Sequence, residues 1–377
     1  MDKHAALLSD LVAIDSTNPV LVPGGTGEAE IARYIAEWLE KAGLEVELVE
    51  TAPGRPNVVG IARGTGGGKS LILNGHMDTV GTGDMPRAHA PTEKDGRLYG
   101  RGAYDMKGGL AACMLAAAEA RTRGLGGDVI LQAVVDEEYA SIGTQALAPR
   151  FKADGAIVAE FTECKMILAH KGFVWLEVET IGNAAHGSRP DLGVDAIAKM
   201  GRVLVELETL QERLQSSNGH PLLGHASVHA SLIRGGQELS SYPDSCTLSV
   251  ERRTLPGETP AQAEDELKEI VRGLERADPM FRADVRRGLD RLPLETPDEL
   301  PIVSSTRTAG RVVLGQVPQV AGVSFWTDAA LLSAAGIPSL LFGPSGAGAH
   351  AAEEWVDLES VRACADIYLH VALDFCS

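Results

Sequence analysis

Five short runs without a charged side chain, at 57–62, 71–73, 129–135, 156–159 and 338–342, constrain the fold of this chain more than any other feature. Runs this short and apolar read as strands buried on both faces, and the helical stretch 106–120 between two of them supplies part of the cover. Leu44-Glu45-Val46-Glu47-Leu48 alternates strictly, so it reads as a strand with one wet face. The opening helix presents Leu7, Leu8, Leu11, Val12 and Ile14 on one side and stops before Asn18-Pro19. A second helix, about 28–42, repeats Ile31, Ile35, Trp38 and Leu39 at helical spacing, and Gly43 suits its C-terminal position. From Phe173 the rhythm changes. Residues 173–180 alternate, a helix fills about 193–214, strands lie near 226–233 and 246–252, and a helix covers 261–274. After Leu294 the first rhythm resumes and closes with a helix from about Leu358. The predicted fold is α/β, a mixed sheet flanked by helices, formed by residues 1–172 and 289–377. An α+β domain, residues 173–288, interrupts it.

Charge narrows the function. With 52 Asp plus Glu against 34 Lys plus Arg, the net charge is −18, and no run of five basic residues occurs, so neither nucleic acid nor an anionic membrane is an expected partner. Hydrophobic residues make up 44% and charged residues 23% of the 377, enough apolar surface for two or three cored domains without disulfide or metal staples. The five cysteines, Cys113, Cys164, Cys246, Cys364 and Cys376, contain no C-x-x-C pair and read as reduced, buried thiols. No secretory signal opens the chain and no stretch of about 18 apolar residues occurs, so the expected location is cytoplasmic.

Two tempting motifs fail on chemistry. Gly64 to Ser70 resembles a phosphate loop, but Arg63 stands where the first glycine is needed and a strand follows instead of a helix. Gly343-Pro344-Ser345-Gly346-Ala347 lacks the last glycine of a nucleophile elbow. Acids and histidines at the ends of the apolar runs are more informative. His76 and Asp78 share one side of an extended chain, as a metal-bound imidazole and its carboxylate partner would, or as an ordinary strand-end pair. Asp105 follows a glycine-rich turn, where it could be a ligand or a helix cap. Asp136-Glu137-Glu138 places three carboxylates side by side after a buried run, which calls for a cation or for solvation. Glu160 and His350 complete the set. Two histidines with several carboxylates and no thiolate suit two hydrolytic zinc ions.

These fragments resemble the dinuclear zinc hydrolase family that contains acetylornithine deacetylase, succinyl-diaminopimelate desuccinylase, the aminoacylases and carboxypeptidase G. The similarity rests on Gly75-His76-Met77-Asp78-Thr79-Val80, Tyr99 to Gly109, Asp136-Glu137-Glu138, Ala159-Glu160, Ala185 to Pro190, Arg253 to Glu258, and His350 with Glu353-Glu354. It implies a zinc-exopeptidase-like catalytic domain and an inserted dimerisation or lid domain. One zinc would take His76, Asp105 and Glu160, and the other His350, Glu138 and the shared Asp105. Glu137 would be the general base, Asp78 the partner of His76, and His186 a donor entering the active site of a second subunit. Arg253 could pair with a substrate carboxylate or with Glu251 or Glu258, and His229 could touch substrate or pack at a subunit interface. The implied reaction is hydrolysis of the amide of an N-acyl amino acid, with a carboxypeptidase or dipeptidase reaction on short peptides as the alternative. Cobalt or manganese would suit the same ligands as zinc.

Overall fold

The computed structural model describes residues 2–377, so the N-terminal reading above starts one residue outside it. Two compact units emerge. The first comprises the chain up to Leu168, Thr296–Ala321 and Thr327–Ser377, and the second comprises Ala169–Glu295 with Gly322–Trp326.

In the first unit the apolar runs become adjacent strands of a mixed sheet, in the order Glu45–Ala52, Arg55–Ala62, Val129–Val134, Leu71–His76, Gly155–Val158 and Ser339–Leu341. Leu71–His76 runs parallel to both of its neighbours, and Ser339–Leu341 runs parallel to Gly155–Val158. Every residue of these four strands is buried, as expected for a sheet covered on both faces. Helix Gly108–Ala120 forms part of the cover, and its alanine-rich sequence allows close approach. Gly109 marks the limit, because a Cβ there would lie 1.9 Å from the carbonyl oxygen of Ala159. The C-terminal helix Leu358–Phe375 is capped by Asp357, whose carboxylate accepts from Ser360 N at 3.0 Å.

The helix expected from 106 differs at its start. Ala103–Lys107 forms a single wide turn of its own, closed by Lys107 N donating to Gly102 O at 2.8 Å with Gly102 at φ 81, and the regular helix begins at Gly108. A small antiparallel sheet, Gly346–Ala347, Trp355–Asp357, Arg97–Tyr99 and Thr92–Lys94, also escapes the sequence reading, because strands of two or three residues carry no periodicity.

The second unit pairs a four-stranded antiparallel sheet, in the order Ser227–Gly235, Ser245–Thr254, Gly172–Ile181 and Ala283–Arg291, with helices Ala196–Ser216 and Pro260–Ala277. Val174, Leu176, Val178, Leu248 and Val250 alternate inward and pack with Met200, Val203, Leu267 and Val271 of the helices. Asp195 caps the first helix and Thr259 with Gln262 forms a capping box on the second. Among the described residues no helix is long and apolar enough to cross a membrane.

Candidate metal centre

Parallel pairing delivers the chemistry to one edge of the sheet, because strands that run the same way end on the same side. His76 terminates its strand, Asp136-Glu137-Glu138 follow Val129–Val134, and Glu160 follows Gly155–Val158. The chain leaving Ser339–Leu341 reaches His350 at the tip of the loop between Gly346–Ala347 and Trp355–Asp357. At Gly343, just past that strand, a Cβ would lie 2.0 Å from Glu160 O, so only glycine lets these two segments meet.

The side chains converge. His76 Nε2 lies 3.2 Å from Asp105 Oδ1, 3.8 Å from Glu160 Oε1 and 4.0 Å from Glu137 Oε2. His350 Nε2 lies 3.2 Å from the other Asp105 oxygen and 3.1 Å from Glu138 Oε2. The two oxygens of Asp105 therefore face different histidines. Asp105 makes no helix-capping bond, which removes the simpler of its two readings.

Asp78 differs from expectation. The Nδ1 of His76 meets the main-chain carbonyl of Asp78 at 2.9 Å, whereas the carboxylate is 3.6 Å away. That carboxylate instead accepts the backbone N–H of Glu137 at 3.1 Å, the backbone N–H of Glu138 at 3.2 Å and an N–H of Asn18 at 2.8 Å. It positions the two glutamates and orients the imidazole through its backbone. Asn18 also donates to Asp136 at 3.0 Å, and Arg55 joins Asp136 at 2.8 Å to the buried Glu28. This network holds Asp136 at φ 70, a turn that directs Glu137 and Glu138 into the cluster.

In the sequence Glu354 is marked only by following His350, yet its carboxylate holds the Asp105 turn. One oxygen accepts N–H bonds from Tyr104 at 2.9 Å and Asp105 at 3.0 Å. The other accepts from Arg101 at 2.7 Å and Gly102 at 3.1 Å. Glu354→Ala should therefore lower stability by about 3–5 kcal/mol, since it strands the buried Arg101 guanidinium. An unchanged denaturation midpoint would refute that role. Asp328, fully buried and hydrogen-bonded to Thr144 at 2.6 Å, is a further acid that sequence reasoning missed.

Burial and crowding dictate the electrostatics. Burial pushes Glu137 well above the usual carboxylate range, and the Glu160 charge adds to the effect. Burial raises Glu160 likewise, and it raises Glu138 to about 7 with help from Asp105. Burial opposes ionisation of Asp105 too, yet hydrogen bonds from His350 and His76 hold it below its ordinary value. Hydrogen bonds to Asp105 and Glu138 raise His350 to about 10. Glu138 Oε1 is buried with no hydrogen-bond partner. An ionised oxygen in that position needs a cation, and His76 with Glu137 and Glu160, and His76 with Asp105 and Glu138, offer ligand atoms within 4.8 Å of one another. The donor set of carboxylates and imidazoles fits divalent ions.

The remaining candidates lie in the second unit. His186 is exposed, with Nδ1 2.8 Å from Ser188 Oγ. His229 is exposed on the edge strand Ser227–Gly235. Arg253 pairs with Glu251 at 2.7 Å, one of the ion pairs weighed for it, while the neighbouring Arg252 takes Glu258.

The sequence profile of peptidase family M20/M25/M40 matches residues 72–374. An acetylornithine deacetylase from Myxococcus xanthus is 32% identical over 98% of this chain and 97% of its own. An N-formyl-4-amino-5-aminomethyl-2-methylpyrimidine deformylase from Bacillus subtilis is 31% identical over 100% of this chain and 96% of its own. In fold, an aminopeptidase from Bacillus cereus superposes with a TM-score of 0.81 at 20% identity, covering 100% of this chain and 98% of that one.

Proposed function

The chain belongs to peptidase family M20/M25/M40, and from that premise we propose that it is a deacylase that hydrolyses the amide bond of N-acyl amino acids, in the manner of acetylornithine deacetylase. The observation that carries this reading is the position of Glu137, whose largely enclosed carboxylate lies 4.0 Å from the His76 imidazole that also faces Asp105 and Glu160.

His76, Asp105 and Glu160 would hold one divalent ion, and His350, Glu138 and Asp105 the other, most simply zinc, with cobalt or manganese as substitutes. Such ions would supply the positive charge that acidifies a water and polarises the amide carbonyl. Glu137 accepts the proton of that water as its oxygen attacks the carbonyl carbon, then returns the proton to the amine nitrogen as the C–N bond breaks. Glu137 suits both steps because a carboxylate enclosed beside the site can take up and return one proton without exchanging it with bulk water. Asp78 keeps Glu137 and Glu138 aimed through their backbone N–H groups.

The inserted unit would join two copies of the chain. Its edge strand Ser227–Gly235 exposes Leu232 at 59% and Ile233 at 53%, an edge of the kind that a second strand covers. In such a dimer His186 would donate to the carbonyl oxygen in the partner's site. A reducing, cytoplasmic compartment would suit the odd number of cysteines and the lack of a C-x-x-C pair.

A substrate panel tests the reaction. The metal-loaded protein should release free amine from N-acetyl, N-formyl or N-succinyl amino acids faster than it cleaves dipeptides. Turnover confined to dipeptides would replace the deacylase reading by the peptidase one.

A further inference from the structure

We propose that Cys164 and Cys364 form a peroxide-oxidisable thiol pair, which closes into a disulfide tying the loop behind Glu160 to the C-terminal helix. Their juxtaposition follows from hydrogen bonds that do not involve sulfur. The segment 342–345 lies along helix Leu358–Phe375, held by Tyr368 Oη donating to Phe342 O at 2.5 Å and by Ser345 N donating to Ser360 Oγ at 2.9 Å. Ser360, Cys364 and Tyr368 are spaced by four residues and share one helix face, so Cys364 sits midway between these anchors. On the other side of the segment, Cys164 N donates to Gly343 O at 2.9 Å and Glu163 N to Pro344 O at 3.2 Å.

The Cys164 loop is tightly set. Glu163 and Cys164 are both left-handed, at φ 56 and 55, and Thr162 Oγ1 closes the turn on Lys165 O at 2.7 Å. The Cys364 thiol lies near enough to the Cys164 thiol for the two to influence each other's ionisation. The neighbouring Cys364 thiol, with Ser345, holds the Cys164 thiol below its usual range, while burial keeps the Cys364 thiol protonated. Cys164 is half-buried, whereas Cys364 is fully enclosed. The pair thus has the accessible, more acidic attacking thiol and the adjacent resolving thiol of a redox sensor.

The chemistry balances. The Cys164 thiolate attacks one oxygen of hydrogen peroxide, the O–O bond breaks, and after proton transfer a sulfenic acid and one water result. The Cys364 thiol then attacks the sulfenic sulfur, its proton leaves with the hydroxyl as a second water, and the S–S bond forms. Two thiols have been oxidised by two electrons and one peroxide reduced.

The full-length, metal-loaded protein should be treated with a small excess of hydrogen peroxide, alkylated under denaturing conditions and mapped by mass spectrometry. Two of the five thiols should disappear, the mass should fall by about 2 Da, and one dithiothreitol-reversible cross-link should join the Cys164 and Cys364 peptides. In Cys364→Ser the same treatment should leave Cys164 about 16 Da heavier and reactive to dimedone. Cys164→Ser should keep all four of its remaining thiols. A cross-link to Cys113, which is also buried close to Cys364, overturns the proposal, as does overoxidation of wild-type Cys164 without a cross-link or survival of all five thiols. The wild-type map decides even if a variant does not fold.

Discussion

Replacing Glu137 by glutamine should lower kcat by about 10²–10⁴-fold on an N-acyl substrate while leaving KM nearly unchanged. The substitution keeps size and hydrogen-bonding shape but removes the basic oxygen, so the loss reports proton transfer alone. Metal content by elemental analysis should equal that of the unaltered protein, because Glu137 lies outside the two proposed ligand sets. A variant with full turnover ends the general-base assignment, and one that has lost metal makes Glu137 a ligand instead. The same variant examines the dimer. Mixed with His186→Ala and allowed to exchange subunits, it should regain part of the lost rate, since a mixed dimer contains one site with both groups intact. Absence of recovery after verified exchange would place His186 outside the partner's site.

Which parts of this centre could be read from the chain is itself physical. His76, Glu137, Glu138 and Glu160 were visible because each follows an apolar run, and a run buried on both faces has only its ends for polar chemistry. That the ends meet depends on the parallel pairing of Leu71–His76 with both neighbours, which the alternation of strands and helices implies. Asp105 and His350 were weaker signals. They sit on turns shaped by the small sheet, whose strands are too short to show a period.

Glu354, Asn18 and Arg55 acquire their roles only through partners distant in sequence. Glu354 holds Arg101 across 253 residues, and Arg55 reaches Asp136 across 81. Charged residues are usually solvated, so nothing local marks these as buried. The strand Ala283–Arg291 was missed for a related reason. At the edge of its sheet only Ala283 and Val285 alternate inward before Arg287 and Gly288 break the pattern, too short a run to mark a strand.

Removing the metal should abolish turnover and lower the thermal midpoint, and the deficit should widen as pH rises. Saturation at about 1,000 times Kd corresponds to about 4 kcal/mol of added stability. The pH dependence follows from the metal-free cluster. Glu138 titrates near 7 in the fold against an ordinary value of 4.5, and Glu137 and Glu160 are raised further in direction. A carboxyl group raised by folding contributes stability that is full below about 4.5 and is lost as pH climbs through its folded value. His350, raised to about 10, adds in the same sense, because its proton too is held by the metal-free fold and must leave before it can ligate. Asp105 is lowered, and its contribution changes only at more acidic pH. The gap in midpoint between loaded and chelated protein should thus be small near pH 5.5 and largest near pH 8, with protons released on metal addition at neutral pH. A gap that is flat or shrinks with pH would mean that these carboxylates are solvated in the metal-free protein and do not form the centre.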